Sequence, residues 1–364
     1  MRQACATGFP LWRLKMLPVS ELQAAPSWLT SGPGPGSIVV STRVRLARNV
    51  SGVKFLSVAS ADERKAVVSR IENAACGSAA TDYLKPMEIG ALKNHERMAL
   101  YERYLIPKFL VTDEGPSSLL ISQDEGDSVV VNEEDHVRIQ ALRPGLEPEQ
   151  AWDTVDMIDD ALDSAVEFAF DPGLGYLTAC PTNVGTALRA SVMMHLPALV
   201  LTGRLTNVTA AILQGGFTVR GMHGEGSEPA GYFFQVSNQR SLGRSEGQIV
   251  SEFRELVKQI EGYEEKSRKK IVAVDKITLE DRIVRAKAVL DVAKVMSSQE
   301  AVSLLSMLRL GVALGILETP KYVAIDHLVM LVQPGHIKTL YGGELSDADR
   351  DKRRPELIRK HLSA

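Results

Sequence analysis

Two periodicities divide this chain. Ser37 to Val44 alternates and is β-branched, which predicts a strand. Ser118 to Ser122 and Ser128 to Val131 predict two more, joined by the polar turn QDEGD. Val137, Ile139 and Ala141 alternate with Arg138 and Gln140, so another strand follows the turn at Asn132 to Asp135. Strand-like runs return at Gly175 to Ala179, Thr218 to Val219 and Gly231 to Ser237. Helical spacing covers Ala61 to Ala75, Arg97 to Leu105 and Pro148 to Phe168, the last with Val155, Ile158, Leu162 and Val166 as markers. Ile249 to Ile260 is amphipathic, the run ALRASVMMHL is read as helical, and Leu279 to Ile316 is read as helical throughout. Leu22 to Gly36 is a Pro/Gly/Ser-rich arm. A charged stretch, GYEEKSRKKI, marks a change of character, and a domain boundary is expected near residue 270.

With 364 residues, 45% of them hydrophobic, the chain is long enough for a sizeable core and for two domains. The net charge of −3 gives no bulk attraction to nucleic acid or to a membrane surface. Cys5, Cys76 and Cys180 are odd in number and far apart, so they build neither a disulfide framework nor a zinc site. That usage fits a reducing, cytoplasmic compartment. The opening residues are too broken for a signal peptide, no run is long enough to span a membrane, and Met16 is a candidate for the true start.

The chemistry lies in four separated stretches: STRVR (Ser41 to Arg45), VNEEDHVRIQ (Val131 to Gln140), TACPTNVGTALRASVMMHLPAL (Thr178 to Leu199) and VRGMHGEGSE (Val219 to Glu228). Arginine carries a permanent charge and a planar fork of donors that fits phosphate oxygens. Arg43 and Arg45, two apart on a strand, point to one face and repel unless an anion lies between them, while Arg48 is placed beyond the strand end. Acidic turns are usually just solvated, but Arg138 follows this one, and clustered carboxylates raise one another's pKa, which suits a base. Cys180 reads either as a small buried hydrophobe or as a thiol activated by a nearby cation. His195 reads as a satisfied core histidine. The glycine-rich loop lacks the P-loop pattern and no lysine follows it.

Taken together and in this order, the four stretches resemble the phosphagen (guanidino) kinase superfamily across roughly residues 36 to 255, most nearly its bacterial protein-arginine kinase branch. The kinase core begins almost at the N-terminus, VMSSQEAVSLLSMLRLGVALGIL resembles that branch's C-terminal domain, and Arg350-Asp351-Lys352-Arg353-Arg354-Pro355 is similar to its RDxxR[AP] motif. The resemblance implies an α+β fold, a large, mostly antiparallel sheet flanked by helices, as in phosphagen kinase and glutamine-synthetase-like catalytic domains, plus a small all-helical C-terminal domain. The expected layout is an arm at 1–35, a catalytic domain at 36–260 and a helical domain at 271–364.

The resemblance also implies roles. ATP, with Mg²⁺ as cofactor, would be held by Ser41, Thr42, Arg43, Val44 and Arg45, by Arg138, by Arg189, Ala190, Ser191, Val192 and Met193, and by Arg220, Gly221, Met222, His223, Gly224 and Glu225. Glu134 and Glu225 match the carboxylates that orient and deprotonate an acceptor guanidinium, either one being the base, and Cys180 matches the family's reactive cysteine. Arg350, Asp351 and Arg354 match an allosteric phosphoarginine site. Tyr104 stands where relatives often have a nucleotide-contacting histidine. The implied activity is ATP-dependent phosphorylation of arginine residues in proteins, marking them for Clp-type degradation under stress. Implied partners are protein substrates, a Clp-type unfoldase or protease and an activator protein, with a homodimer as the assembly and no nucleic acid or membrane. The rivals are a phosphagen kinase acting on a small guanidino compound and a non-catalytic phosphoarginine-binding adaptor.

Overall fold

The structure is a computed structural model that describes residues 24–30, 34, 36–222 and 230–362. Its centre is one eight-stranded sheet, antiparallel at every pairing. The strands are β1 (Val39–Arg48), β2 (Lys85–Glu88), β3 (Ser118–Ile121), β4 (Asp127–Val131), β5 (Val137–Pro144), β8 (Leu188–His195), β9 (Phe217–Gly221) and β10 (Phe233–Asn238), in the order β2-β3-β4-β5-β1-β8-β10-β9. A separate hairpin pairs β6 (Phe170–Asp171) with β7 (Gly175–Tyr176).

Helices α1 (Ser27–Thr30), α2 (Ala61–Gly77), α3 (Asn94–Glu102), α4 (Pro148–Asp163), α5 (Pro197–Leu201), α6 (Leu205–Gln214) and α7 (Glu246–Val292) accompany the sheet. The helical C-terminal region adds α8 (Ser298–Ala313), α9 (Tyr322–Leu331), α10 (Pro334–Leu340) and α11 (Asp347–Leu362). Start signals are visible in the sequence. Ser60 and Glu63 form a reciprocal capping box on α2, Ser245 and Gln248 do the same on α7, and Pro148 opens α4.

Alternation along the strands assigns the two faces of the sheet. Val44 and Leu46 of β1, Val137, Ile139 and Ala141 of β5, and Leu188, Ala190, Val192 and Met194 of β8 enter one core with Val155, Ile158 and Leu162 of α4 and Phe253 and Val257 of α7. Each such side chain contributes roughly 1.5–3 kcal/mol on burial, so the strand register is strongly fixed. The opposite face carries Arg43, Arg45, Arg138, Gln140, Arg189 and Gln235 into a cavity.

Four sequence-based expectations are corrected. ALRASVMMHL does not hold a helix at this place: Leu188–His195 is a central strand paired with both β1 and β10. An apolar run buried on both faces carries little helical or strand signature of its own, and here two neighbouring ladders decide. Arg48 is the last residue of β1, buried against Asp159 at 2.6 Å rather than lying beyond the strand. The α4 helix ends at Asp163, short of Phe168. The Leu279 to Ile316 segment is interrupted after Val292, and Ser297 caps a new helix. Within α7, the charged stretch stays helical until Asp275, whose φ of −153° and ψ of 75° break the run.

Two buried carboxylates tie the outer helices to the sheet region. Glu264 of α7 accepts from the N–H groups of Ala198 and Leu199 at 3.0 and 2.9 Å. Glu102, at the end of α3, accepts from Gly335 and His336 N–H at 2.7 and 2.9 Å and lies 2.7 Å from His336 Nδ1. The second clamp joins the C-terminal region to the segment that leads into Tyr104.

Candidate active site

Period-two geometry places the arginines. Arg43 and Arg45 lie on β1, Arg138 on β5, Arg189 on β8 and Arg220 on β9, and all five line one cavity of 410 Å³. Their mutual field acts on the groups themselves. Burial, then the neighbouring Arg189 and Arg138, lowers the Arg43 pKa to about 10, although Tyr104 and Glu133 oppose the shift. Burial, followed by Arg43, Arg138 and Arg189, pulls Arg45 well below its ordinary value. Arg45 Nε is buried without a hydrogen-bond partner. Such a set is unfavourable alone and becomes favourable around a polyanion. A triphosphate therefore fits these residues.

Tyr104, in the left-handed region at φ 63°, presents its ring to this cavity. Arg43 sits over that ring, 5.8 Å from its centre, a cation–π contact. Burial pushes the phenol pKa up, so the ring is neutral. Tyr104 thus offers the cavity an aromatic shelf.

The acidic turn joins β4 to β5. Asn132 adopts φ 62°, which asparagine tolerates, and its side chain donates to Arg64 O and Pro116 O, each at 2.8 Å. The three acids then take different partners. Glu133 is buried and meets Arg138 Nε at 2.6 Å. Glu134 is half-exposed at the cavity, its carboxylate 3.6 Å from Arg138. Asp135 is buried away from solvent. Its Oδ1 accepts from Asn49 Nδ2 and from Ala179 N–H, both at 2.7 Å. The turn is thus divided: Glu134 stands half-exposed at the cavity, Glu133 lines it while paired with Arg138, and Asp135 is spent on holding the backbone.

Asp135 thereby positions the segment that enters Cys180. Cys180 is half-buried, with Sγ 3.0 Å from Thr182 Oγ1, and Thr182 and Asn183 line the cavity. Among the other expected ligands, Ser191 is on the cavity side of β8, with Oγ donating to Arg43 O at 3.2 Å. Thr42, Val44, Ala190 and Val192 face away from the cavity; Thr42 Oγ1 donates instead to Gly145 O at 2.6 Å. Met193 and Met222 join the apolar cluster beside the C-terminal helices, together with Ser41 at a small pocket. Gly221 ends β9, while His223, Gly224 and Glu225 lie outside the described residues. His195 is buried and bonded to Ser306 Oγ at 2.7 Å, as a core histidine would be.

Arg350, Asp351 and Arg354 stand together on α11, outside this cavity. Arg354 is enclosed: it donates to Val332 O at 2.7 Å, to Met296 O, and to Asp351 Oδ1 at 2.6 Å. Arg350 donates to Asp347 at 2.6 Å. Both arginines are thus engaged by neighbours within the protein.

Sequence reasoning did not single out Gln140, Gln235, Asn238 or Arg240, all of which line the cavity. The first two were legible as the polar members of alternating strands. Asn238 was not: it accepts from Ala190 N–H at 2.8 Å and donates to Leu188 O at 3.0 Å, a lateral brace on β8. Among the described residues no group of three or more His, Cys, Asp or Glu side chains forms a metal site.

Comparison with known proteins agrees with this geometry. Residues 66–267 match the family ATP:guanido phosphotransferase, C-terminal catalytic domain, and residues 276–364 match the protein-arginine kinase McsB C-terminal domain. The chain is 42% identical over 344 residues to a protein-arginine kinase of Geobacillus stearothermophilus, covering 93% of this chain and 94% of that one. It is 41% identical over 346 residues to the protein-arginine kinase of Symbiobacterium thermophilum, covering 94% and 98%. Among solved structures it resembles the duplicated taurocyamine kinase of Schistosoma mansoni (TM-score 0.56, 27% identity), covering 70% of this chain and 36% of that longer one. Lombricine kinase shares the fold at TM-score 0.55 and 23% identity, over 67% of this chain and 71% of the other. The chain belongs to the ATP:guanido phosphotransferase family, and within it to the protein-arginine kinases.

Proposed function

We propose that the protein transfers the terminal phosphoryl group of ATP to the guanidino group of arginine residues in other proteins. The observation that carries this reading is the sharing of one cavity by six arginines and two glutamates, of which Glu134 is half-exposed. The arginines supply fixed donors for phosphate oxygens and, in the transition state, for charge on the moving phosphoryl group. Mg²⁺, brought in with the nucleotide rather than held by a protein cluster among the described residues, would supply charge neutralisation for the transfer.

An arginine acceptor has a pKa above about 12 and, protonated, no lone pair to attack with. Glu134 holds its cationic fork and aims it, and Glu225 is proposed as the second carboxylate. One of the two takes the proton as the N–P bond forms and the bond from phosphorus to the bridging oxygen breaks, releasing ADP. Cys180 is proposed, from the family resemblance, to contact a guanidinium nitrogen. Such positioning contributes roughly 7–11 kcal/mol toward the barrier.

The finer partnerships are proposed with it. Val274, Ile277 and Val284 of α7 are exposed apolar side chains, which supports a homodimer. The described residues contain no helix long and apolar enough to cross a membrane, and a cytoplasmic location is proposed. An activator protein, Clp-type degradation, the stress-response role and allosteric binding of phosphoarginine at α11 follow the family resemblance alone.

The test is a comparison of acceptors. ADP release should be fast with an unfolded arginine-containing protein and ATP, and slow with free arginine or creatine. The label should be acid-labile and localised to arginine by mass spectrometry. Acid-labile phosphate on the small molecule alone would overturn the reading.

A further inference from the structure

The hairpin of β6 and β7 is hydrogen-bonded apart from the main sheet, and while Tyr176 packs on the core with Arg48 stacked over its ring, its other large side chains do not. Phe170 and Leu174 are 58% and 48% exposed, and Leu242, on the facing loop, is 52% exposed. Together with Tyr176 and Glu246 they line an open groove of 410 Å³. Isolated exposed hydrophobics are ordinary, but three converging on one groove are not.

The groove's wall is closely packed. Phe170 packs edge-on against Tyr176 at 5.3 Å, and Asp171 Oδ1 accepts from Gly173 and Leu174 N–H at 2.7 and 3.0 Å. Three backbones meet at its wall. A Cβ on Gly175 would collide with Gly185, and one on Gly185 would collide with Leu242, and both glycines have positive φ.

The groove is also continuous with the active site. Ser241 lines both the arginine cavity and the groove, and its Oγ donates to Asn183 O and Val184 O. The hairpin runs straight into Cys180. Asn49 Nδ2 donates both to Leu177 O at 2.9 Å and to Asp135, the neighbour of Glu134. Hairpin base and acceptor carboxylate are therefore held by the same two side chains. Burial holds the Tyr176 phenol above its ordinary pKa; Arg48, stacked over the ring at 3.4 Å, opposes this, and Asp159, Asp163 and Glu246 add to it. Arg48 is committed to Asp159 and Arg244 to Glu252.

We propose that this groove docks the polypeptide segment flanking the acceptor arginine, taking an apolar side chain against Phe170, Leu174 and Leu242 and favouring basic neighbours near Glu246. This deepens the functional reading above and rests on it. A free guanidino compound has no such segment, so the groove would separate protein arginine from free arginine.

The test uses the full chain, a short peptide with one arginine flanked by leucine and lysine, and the same peptide with serine for leucine. Both hairpin side chains are exposed, so Phe170→Ser with Leu174→Ser leaves the core intact. The expected result is a KM for the leucine peptide raised about tenfold, the worth of roughly one buried apolar side chain, with kcat at saturation and KM for ATP unchanged. The preference for leucine over serine should vanish, and Glu246→Gln should raise KM for the lysine-flanked peptide. An unchanged KM overturns the docking proposal. So does an equal rise for arginine methyl ester, which would place the effect in the acceptor pocket. If the wild-type protein leaves every peptide arginine unmodified, the reading of protein-arginine kinase activity falls first and the groove with it.

Discussion

Arg45 on β1 and Arg189 on β8 are directly opposed residues of one antiparallel pair. Like charges at such positions destabilise a sheet by roughly 0.2–1 kcal/mol. Arg189 Nη2 has one partner in Ser237 Oγ at 3.0 Å, while Arg45 Nε is buried without one. A bound anion would relieve that repulsion, as the proposed triphosphate site requires.

Arg45→Met should therefore make the nucleotide-free protein more stable, by about 1 kcal/mol or some 2 °C in Tm, while abolishing turnover. Thermal melts with and without ATP check both halves. At a hundredfold excess over Kd, ATP should stabilise the wild-type by about 2.7 kcal/mol and the variant hardly at all.

The clamp at Glu102 makes a separate prediction. Glu102→Ala strands two N–H groups and the His336 ring in a buried site, which should cost about 3 kcal/mol. Because Tyr104 follows two residues later and shelves Arg43, KM for ATP should also rise. Denaturant unfolding and ATP-dependent kinetics measure the two effects. A loss of stability with KM unchanged would confine the clamp to folding.

Three buried histidines set the acid response. Burial lowers the pKa of His136, drops His195 well below its usual value, and takes His327 down to about 3. The unfolded chain takes up these protons below pH 6.5 and the folded chain does not, so stability falls as pH drops from 6.5 toward the depressed values. The slope is about 1.4 kcal/mol per pH unit for each histidine. Asp159 and Glu264, raised chiefly by burial, act with the opposite sign as pH falls toward their own range. Since His327 Nε2 has no hydrogen-bond partner, His327→Phe should flatten the decline between pH 6.5 and 5.5, read from urea melts at each pH.

Much of this was legible in the chain. Alternation around Arg43, Arg45 and Arg138 fixed which face those side chains share, because the strand period admits no other choice. The segment Leu188–His195 shows where legibility stops. Its residues alternate core and cavity, yet Ala190, Val192, Met193 and Met194 are apolar on both faces, since one face meets the main core and the other the C-terminal helices. Only the neighbouring strands distinguish it from a helix. The division of labour in Glu133, Glu134 and Asp135 was also hidden. Asp135 is defined by Asn49, far away in sequence, and Glu133 by the precise return of Arg138. The enclosure of Arg354 was hidden for a related reason: a guanidinium that suits phosphate equally suits the backbone carbonyls it meets here.

The central claim is that the arginines hold the nucleotide while Glu134 aims the acceptor. Glu134→Gln tests it most directly, since the residue is half-exposed and the fold should survive the change. Single-turnover phosphorylation of an arginine peptide should slow by about a hundredfold or more, in the range a positioned acid–base group contributes. The Kd for ATP should stay within about threefold, because the phosphate donors are untouched. A variant that phosphorylates the peptide at the wild-type rate, or that loses ATP binding and turnover in equal measure, would contradict the account.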